Sequence, residues 1–108
     1  MKKTQKSRLE KAGWKVSSAA AFLDLTPEEQ AFIELKVALA ESLRKRRLRR
    51  HLTQAALARI LRSSQSRVAK MEAADRTVSV ELLLRALVTL GAKPRDIAKV
   101  LQHSGVAA

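Results

Sequence analysis

The chain has 108 residues, 46% of them hydrophobic and only three aromatic (Trp14, Phe22 and Phe32), so one compact domain packed by Leu, Ala, Val and Ile is expected. There is no cysteine, which removes disulfides, thiolate catalysis and Cys-based metal sites, while 22 Lys and Arg against 10 Asp and Glu leave a formal charge of +12. The basic start is not followed by the apolar stretch of a signal peptide, and no apolar run approaches the ~18 residues of a membrane span, so a cytoplasmic protein without membrane contact is expected.

In chain order, residues 1–12 read as a basic arm, with Lys2, Lys3, Lys6 and Arg8. Ser17 and Ser18 can cap a short helix at Ala19–Leu23, after an irregular entry at Gly13 and Trp14. Trp14 and Phe22 read as anchors for this segment, and residues 1–25 together form an extension ahead of a domain at 26–104. Thr26-Pro27-Glu28-Glu29 is a strong helix start: Thr26 as N-cap, Pro27 in the first turn, and Glu29 closing a capping box. The helix it opens runs to about Arg50, with Phe32, Leu35, Leu39 and Leu43 along one stripe. Its acidic first half and basic second half both suit the helix dipole.

Shorter helices follow. Thr53 can cap Gln54–Leu61, with a tight turn at Arg62-Ser63. Ser64 can cap Gln65–Ala73, which Asp75-Arg76 terminates, and Ser79 can cap Val80–Leu90, which Gly91 closes in a left-handed conformation. Pro94 opens a last helix with Ile97, Val100 and Leu101 on its apolar side, before Gly105. The fold class expected is all-α, a compact helical bundle with a short N-terminal extension and a C-terminal helix.

Charge is unevenly placed. Asp24, Glu28, Glu29, Glu34 and Glu41 make residues 24–41 acidic, whereas Ser42–Met71 contains no acid and ten bases. A polyanion suits such a surface, because binding it releases condensed counterions. Within this window Leu57, Leu61, Val68 and Met71 point inward to fix a helix crossing, with small Ala58 where the two helices approach. The outward positions of the second helix are then Gln65, Ser66, Arg67 and Lys70. Glutamine can pair with adenine N6 and N7, arginine or lysine with guanine O6 and N7, and serine with either. The free amides at Gln54 and Ser64 suit phosphates.

Leu52-Thr53-Gln54-Ala55-Ala56-Leu57-Ala58 followed by Ser64-Gln65-Ser66-Arg67-Val68-Ala69-Lys70-Met71-Glu72 resembles the lambda repressor and Cro-like group, also called XRE, over about residues 32–91, with the helix-turn-helix at 53–73. The resemblance implies base reading by Gln65 and Ser66, a further groove contact at Lys70, and a bracing glutamine at Gln54 that also touches phosphate. It also sets Arg47 opposite Glu72, a pair that in some members is a buried salt bridge between the first and third helices. Arg67 can read a base or clamp a phosphate, and Arg46, Arg49, Arg50 and Arg62 are candidate phosphate contacts. The chain departs from the family where a glycine is common, having Arg62 in the turn and Ala74 two residues after the glutamate.

The expected function is a sequence-specific transcriptional regulator, a repressor acting as a homodimer on a palindromic operator in double-stranded DNA, with the dimer surface placed at residues 92–103 or in the N-terminal part. The alternative is an antitoxin that uses Trp14 and Phe22 against a toxin protein while autoregulating its operon. Non-specific or RNA binding lacks the aromatic stacking residues it usually employs. No nucleophile, base and orienting acid fall into a recognisable arrangement, so no enzyme is expected. No cofactor is expected, and His51 and His103 lack partners at metal-ligand spacing.

Overall fold

The computed structural model describes residues 24–103. The basic arm, the Ala19–Leu23 helix, Trp14, Phe22 and the stop at Gly105 lie outside the described residues. Five helices and no strand stand among those described: α1 (Pro27–Arg49), α2 (Gln54–Ile60), α3 (Gln65–Glu72), α4 (Val80–Thr89) and α5 (Pro94–Gln102). The fold is all-α, as the sequence implies. Two units divide the chain, residues 1–34 and 35–108.

In the first unit, the start of α1 is the reciprocal capping box. The Glu29 amide donates to Thr26 Oγ1 at 3.1 Å, and the Thr26 amide donates to Glu29 Oε1 at 2.8 Å. Phe32 departs from expectation, being 54% exposed instead of joining the apolar stripe. The buried positions of α1 begin one turn later, at Lys36, Leu39, Ala40, Leu43 and Arg47, and Leu35 is only half-buried.

The second unit holds the core. Leu39 and Leu43 from α1, Leu57 from α2, Val68 and Met71 from α3, and Leu83 and Leu87 from α4 are its fully buried large side chains. Ala40, Ala58, Ala86 and Ala92 complete the buried cluster. The second helix of the motif packs directly on the first, with Ala58 buried at the approach. Ile97, Val100 and Leu101 of α5 lie against the same core, half-buried.

Side-chain caps start three of these helices. Thr53, Ser64 and Ser79 all have extended backbones and accept from the amides of Ala56, Arg67 and Leu82 at 3.0, 3.1 and 3.0 Å. Such a cap contributes about 1 kcal/mol. Helix α5 starts differently: Pro94 occupies the first position and the Asp96 carboxylate accepts from the Lys93 amide at 2.8 Å.

Helix ends share one device. After α1, α2, α3 and α4 the chain turns left-handed at His51, Arg62, Ala74 and Gly91, with φ of 57°, 55°, 55° and 94°. The amide of the next residue then bonds back across the last turn: Leu52 to Arg47 O at 3.1 Å, Ser63 to Ala58 O at 2.8 Å, Asp75 to Lys70 O at 3.0 Å, and Ala92 to Leu87 O at 2.9 Å. This is the Schellman closure, and only Gly91 adopts it without a Cβ penalty. The same closure explains why α2, α3 and α4 end one residue before their expected limits, since Leu61, Ala73 and Leu90 serve as C-caps. The turn at Arg62-Ser63 therefore has the usual geometry despite lacking glycine, at a cost of about 1–2 kcal/mol for a left-handed residue carrying a Cβ.

Candidate nucleic-acid interface

Helix α3 is amphipathic in the way its sequence implies. Val68 and Met71 are buried on one side, and Gln65, Ser66, Arg67 and Lys70 are exposed on the other. Ser64, the cap, shares a hydroxyl contact with Ser66 at 3.2 Å, which ties the Ser66 side chain to the helix start. Gln65, Arg67 and Lys70 make no side-chain hydrogen bond within the described residues, so their donors and acceptors are available to a ligand. The edge has the right chemistry for base edges and phosphates together: an amide with both donor and acceptor, a hydroxyl, and two cations.

A buried polar network fixes where this edge points. Arg47 Nε donates to Glu72 Oε2 at 2.5 Å, and Arg47 Nη2 donates to Glu72 Oε1 at 3.0 Å. The third donor, Nη1, reaches the Leu52 carbonyl at 2.7 Å. Gln54 Nε2 donates to Glu72 Oε1 at 3.2 Å. The carboxylate thus joins α1, the start of α2 and the end of α3, and the Arg47 and Glu72 side chains are only 11% and 5% exposed. Hydrogen bonding to Glu72 pushes the Arg47 guanidinium above its ordinary pKa, against the opposing pull of burial. The bidentate geometry is that of a strong charge-assisted pair.

Gln54 differs from what the resemblance implies. Its side-chain amide is committed to Glu72, not to Gln65, so it braces the end of α3 and leaves Gln65 unheld by it. The exposed arginines also divide. Arg49 and Arg62 are exposed, as is Arg59, which received no role from the sequence. Arg50 donates through Nη1 to the Leu90 carbonyl at 2.9 Å, capping the C-terminal end of α4. Arg46 lies 3.9 Å from Asp96 with its side chain 20% exposed, and its Nε is buried without a hydrogen-bond partner. Arg46 and Arg50 thus each make a contact within the fold, Arg50 while remaining exposed.

Residues outside the motif close the site. Asp75 accepts from the Thr77 amide at 2.9 Å and from the Thr77 hydroxyl, an arrangement that orders the turn leaving α3 and lowers the Asp75 pKa, chiefly through the hydroxyl. Among the described residues no three His, Cys, Asp or Glu side chains stand together as a metal group, and no helix is long and apolar enough to cross a membrane.

A groove the sequence left unremarked runs beside α3. Ile60 and Leu61 from α2 and Leu84 and Val88 from α4 line it, with Glu81 and Arg85 alongside and a volume of about 730 Å³. The signal was present in the spacing of Glu81, Leu84, Arg85 and Val88, which places them on the side of α4 away from Leu83 and Leu87.

Comparison with curated proteins and with solved structures returns no match. A family model described as a helix-turn-helix domain matches residues 38–100, from the buried part of α1 into α5. That span contains every element of the geometry above, and the chain belongs to the helix-turn-helix domain family.

Proposed function

We propose that this protein is a sequence-specific regulator of transcription that lays α3 in the major groove of a DNA duplex. The observation that carries the reading is the exposed edge of Gln65, Ser66, Arg67 and Lys70 on a helix whose back is buried and whose end is locked by Glu72. Gln65 and Ser66 read base edges near the helix start, and Lys70 reaches the groove one turn on. Arg67, Arg49, Arg62 and Arg59 neutralise phosphates, with the first amides of α3 docking on a backbone phosphate. A single eight-residue reading helix contacts few base pairs, so specificity requires two copies on a symmetric operator with half-sites about one helical turn apart, ~34 Å. Occupancy of such a site within a promoter excludes polymerase, which makes repression the direct outcome.

The antitoxin alternative rests on Trp14 and Phe22, which lie outside the described residues, and no observation favours it. The regulator reading is tested by selecting duplexes from a random pool with the full chain and repeating the selection with Gln65→Ala. A loss of about 1–3 kcal/mol at the selected site, with relaxed preference at one or two base pairs, is the expected result. An unchanged preference would remove Gln65 from the groove and the reading with it.

A further inference from the structure

Among the described residues of the second unit three large apolar side chains are exposed, and two of them, Ile60 at 45% and Val88 at 57%, sit in the groove between α2 and α4. Half-buried Leu61 and Leu84 continue the same surface. Leaving this much apolar surface in water is unfavourable, and its concentration in one concave strip marks a docking face.

The charges on the strip identify what docks there. Glu81 and Arg85 sit one turn apart on α4, 3.2 Å from each other and about three-quarters exposed. Such an exposed pair within one helix contributes only a few tenths of a kcal/mol, so either member can change partner at little cost. An acid followed by a base along a helix is self-complementary when a second such helix runs antiparallel. We propose that a second copy of this chain packs its α4 antiparallel on α4 across this groove. With a two-fold axis passing between Leu84 and Arg85, Leu84 of each copy lies against Leu84 and Val88 of the other, and Glu81 of each lies within one turn of Arg85 of the other. Arg62 and Arg67 border the groove on its α3 side and carry like charge in both copies, so the dimer without DNA is a weak one. The face differs from the two expected ones, the N-terminal part and residues 92–103, where Ile97, Val100 and Leu101 lie half-buried against the core. For the regulator proposed above it would join two reading helices, and on that consequence alone it rests on that reading.

The test uses the full chain without DNA, so its outcome is separate from that of the groove assignment. Sedimentation across a concentration series measures the monomer–dimer equilibrium of the wild type, Val88→Glu, Glu81→Arg, Arg85→Glu, and an equimolar mixture of the last two. The wild type is expected to dimerise and Val88→Glu to be monomeric. Each charge reversal alone faces like charges twice and weakens the dimer about tenfold or more, whereas the mixture restores it because each Arg then meets a Glu. Restoration by mixing cannot come from pairing within one helix. All the altered side chains are more than half exposed, and helicity measured by circular dichroism confirms that each variant folds. A wild type that stays monomeric throughout, a dimer indifferent to Val88→Glu, or a mixture no tighter than its components would each overturn the proposal, the first leaving the groove to a different protein.

Discussion

The basic run at the end of α1 and the basic positions around α3 look alike as composition and do different work. Arg46 and Arg47 follow the buried Leu43 by three and four residues and continue its stripe, whereas Arg50, one residue past the helix, is exposed and only the end of its side chain turns back to the fold. There they meet Asp96, Glu72 and the Leu90 carbonyl. Arg44 and Arg49 fall between those positions and remain exposed, as do Arg59, Arg62, Arg67 and Lys70 further on. Helical phase, not residue type, decides which cation holds the fold and which is left for an anion. A count of arginines therefore overstates the charge that DNA can use. It also conceals that α3, which bears Arg67 and Lys70, is tied to α1 by Arg47.

The largest effect expected from this division is at Arg47 and Glu72. Glu72→Ala strands a guanidinium that is 11% exposed, and Arg47→Ala strands the carboxylate, so each should destabilise the protein by about 3–5 kcal/mol. Urea unfolding followed by circular dichroism measures this. Losses under 1 kcal/mol would mean that α3 is held by its apolar back alone, and the contrast between the two arginine sets would fail. Next comes Arg50→Ala, which removes a charge-assisted hydrogen bond from the end of α4 and should cost about 1–2 kcal/mol. Its effect on the salt dependence of DNA binding should be small. The exposed set should behave in the opposite way. Arg49→Ala or Arg67→Ala should leave stability within about 0.5 kcal/mol of the wild type. Each should lower the slope of log affinity against log salt by about one unit per phosphate lost.

A further prediction concerns how the helices end. Ala74 and Arg62 hold left-handed conformations that glycine adopts freely. Ala74→Gly should raise stability by about 1 kcal/mol, the relief of strain exceeding the added freedom of the unfolded chain. Arg62→Gly should gain about as much stability while losing DNA affinity, since Arg62 belongs to the exposed set. A thermal shift of a few degrees upward for both, with affinity reduced only for Arg62→Gly, would separate backbone cost from side-chain role at the turn.

Much of this architecture was legible because it depends on local chemistry. Thr26, Thr53, Ser64 and Ser79 each stand one residue before a helix, where a hydroxyl can satisfy an amide that the helix cannot. Val68 and Met71 are spaced to bury one side of α3, which leaves Gln65 and Lys70 outside by geometry. Other features depend on what packs against the helix, and sequence spacing carries no such information. Phe32 has the spacing of a core residue but precedes the first buried position of α1 by a full turn. Gln54 can be placed near the end of α3, yet whether its amide meets Gln65 or Glu72 depends on the direction of one side chain. Arg46 and Arg50 stand in a run of bases whose spacing on α1 carries no sign of Asp96 or of the Leu90 carbonyl, which α5 and α4 bring to them. The buried side of α4, Leu83 and Leu87, is enough to place the helix, and its exposed side leaves no mark on that placement.

The smallest effect separates Arg46 from its inward neighbours. Asp96 has its pKa lowered, first by accepting the Lys93 amide at the start of α5 and further by the nearby Arg46 charge. A carboxylate that titrates lower in the folded state adds stability above its unfolded pKa, and that increment is lost as pH falls through the lower folded value. Asp75 is shifted in the same direction by Thr77, so both act in one acidic window, from the ordinary carboxylate range downward. Stability of the wild type should therefore fall on acidification through that window, and Asp96→Asn should flatten the fall without removing it, because Asp75 still titrates. Arg46→Ala should leave most of the dependence in place, because the amide of Lys93, not the guanidinium at 3.9 Å, is the principal cause of the Asp96 shift. If Arg46→Ala instead flattens the profile as fully as Asp96→Asn does, the ion pair is the stronger partner, and Arg46 belongs with Arg47 as a cation the fold depends on.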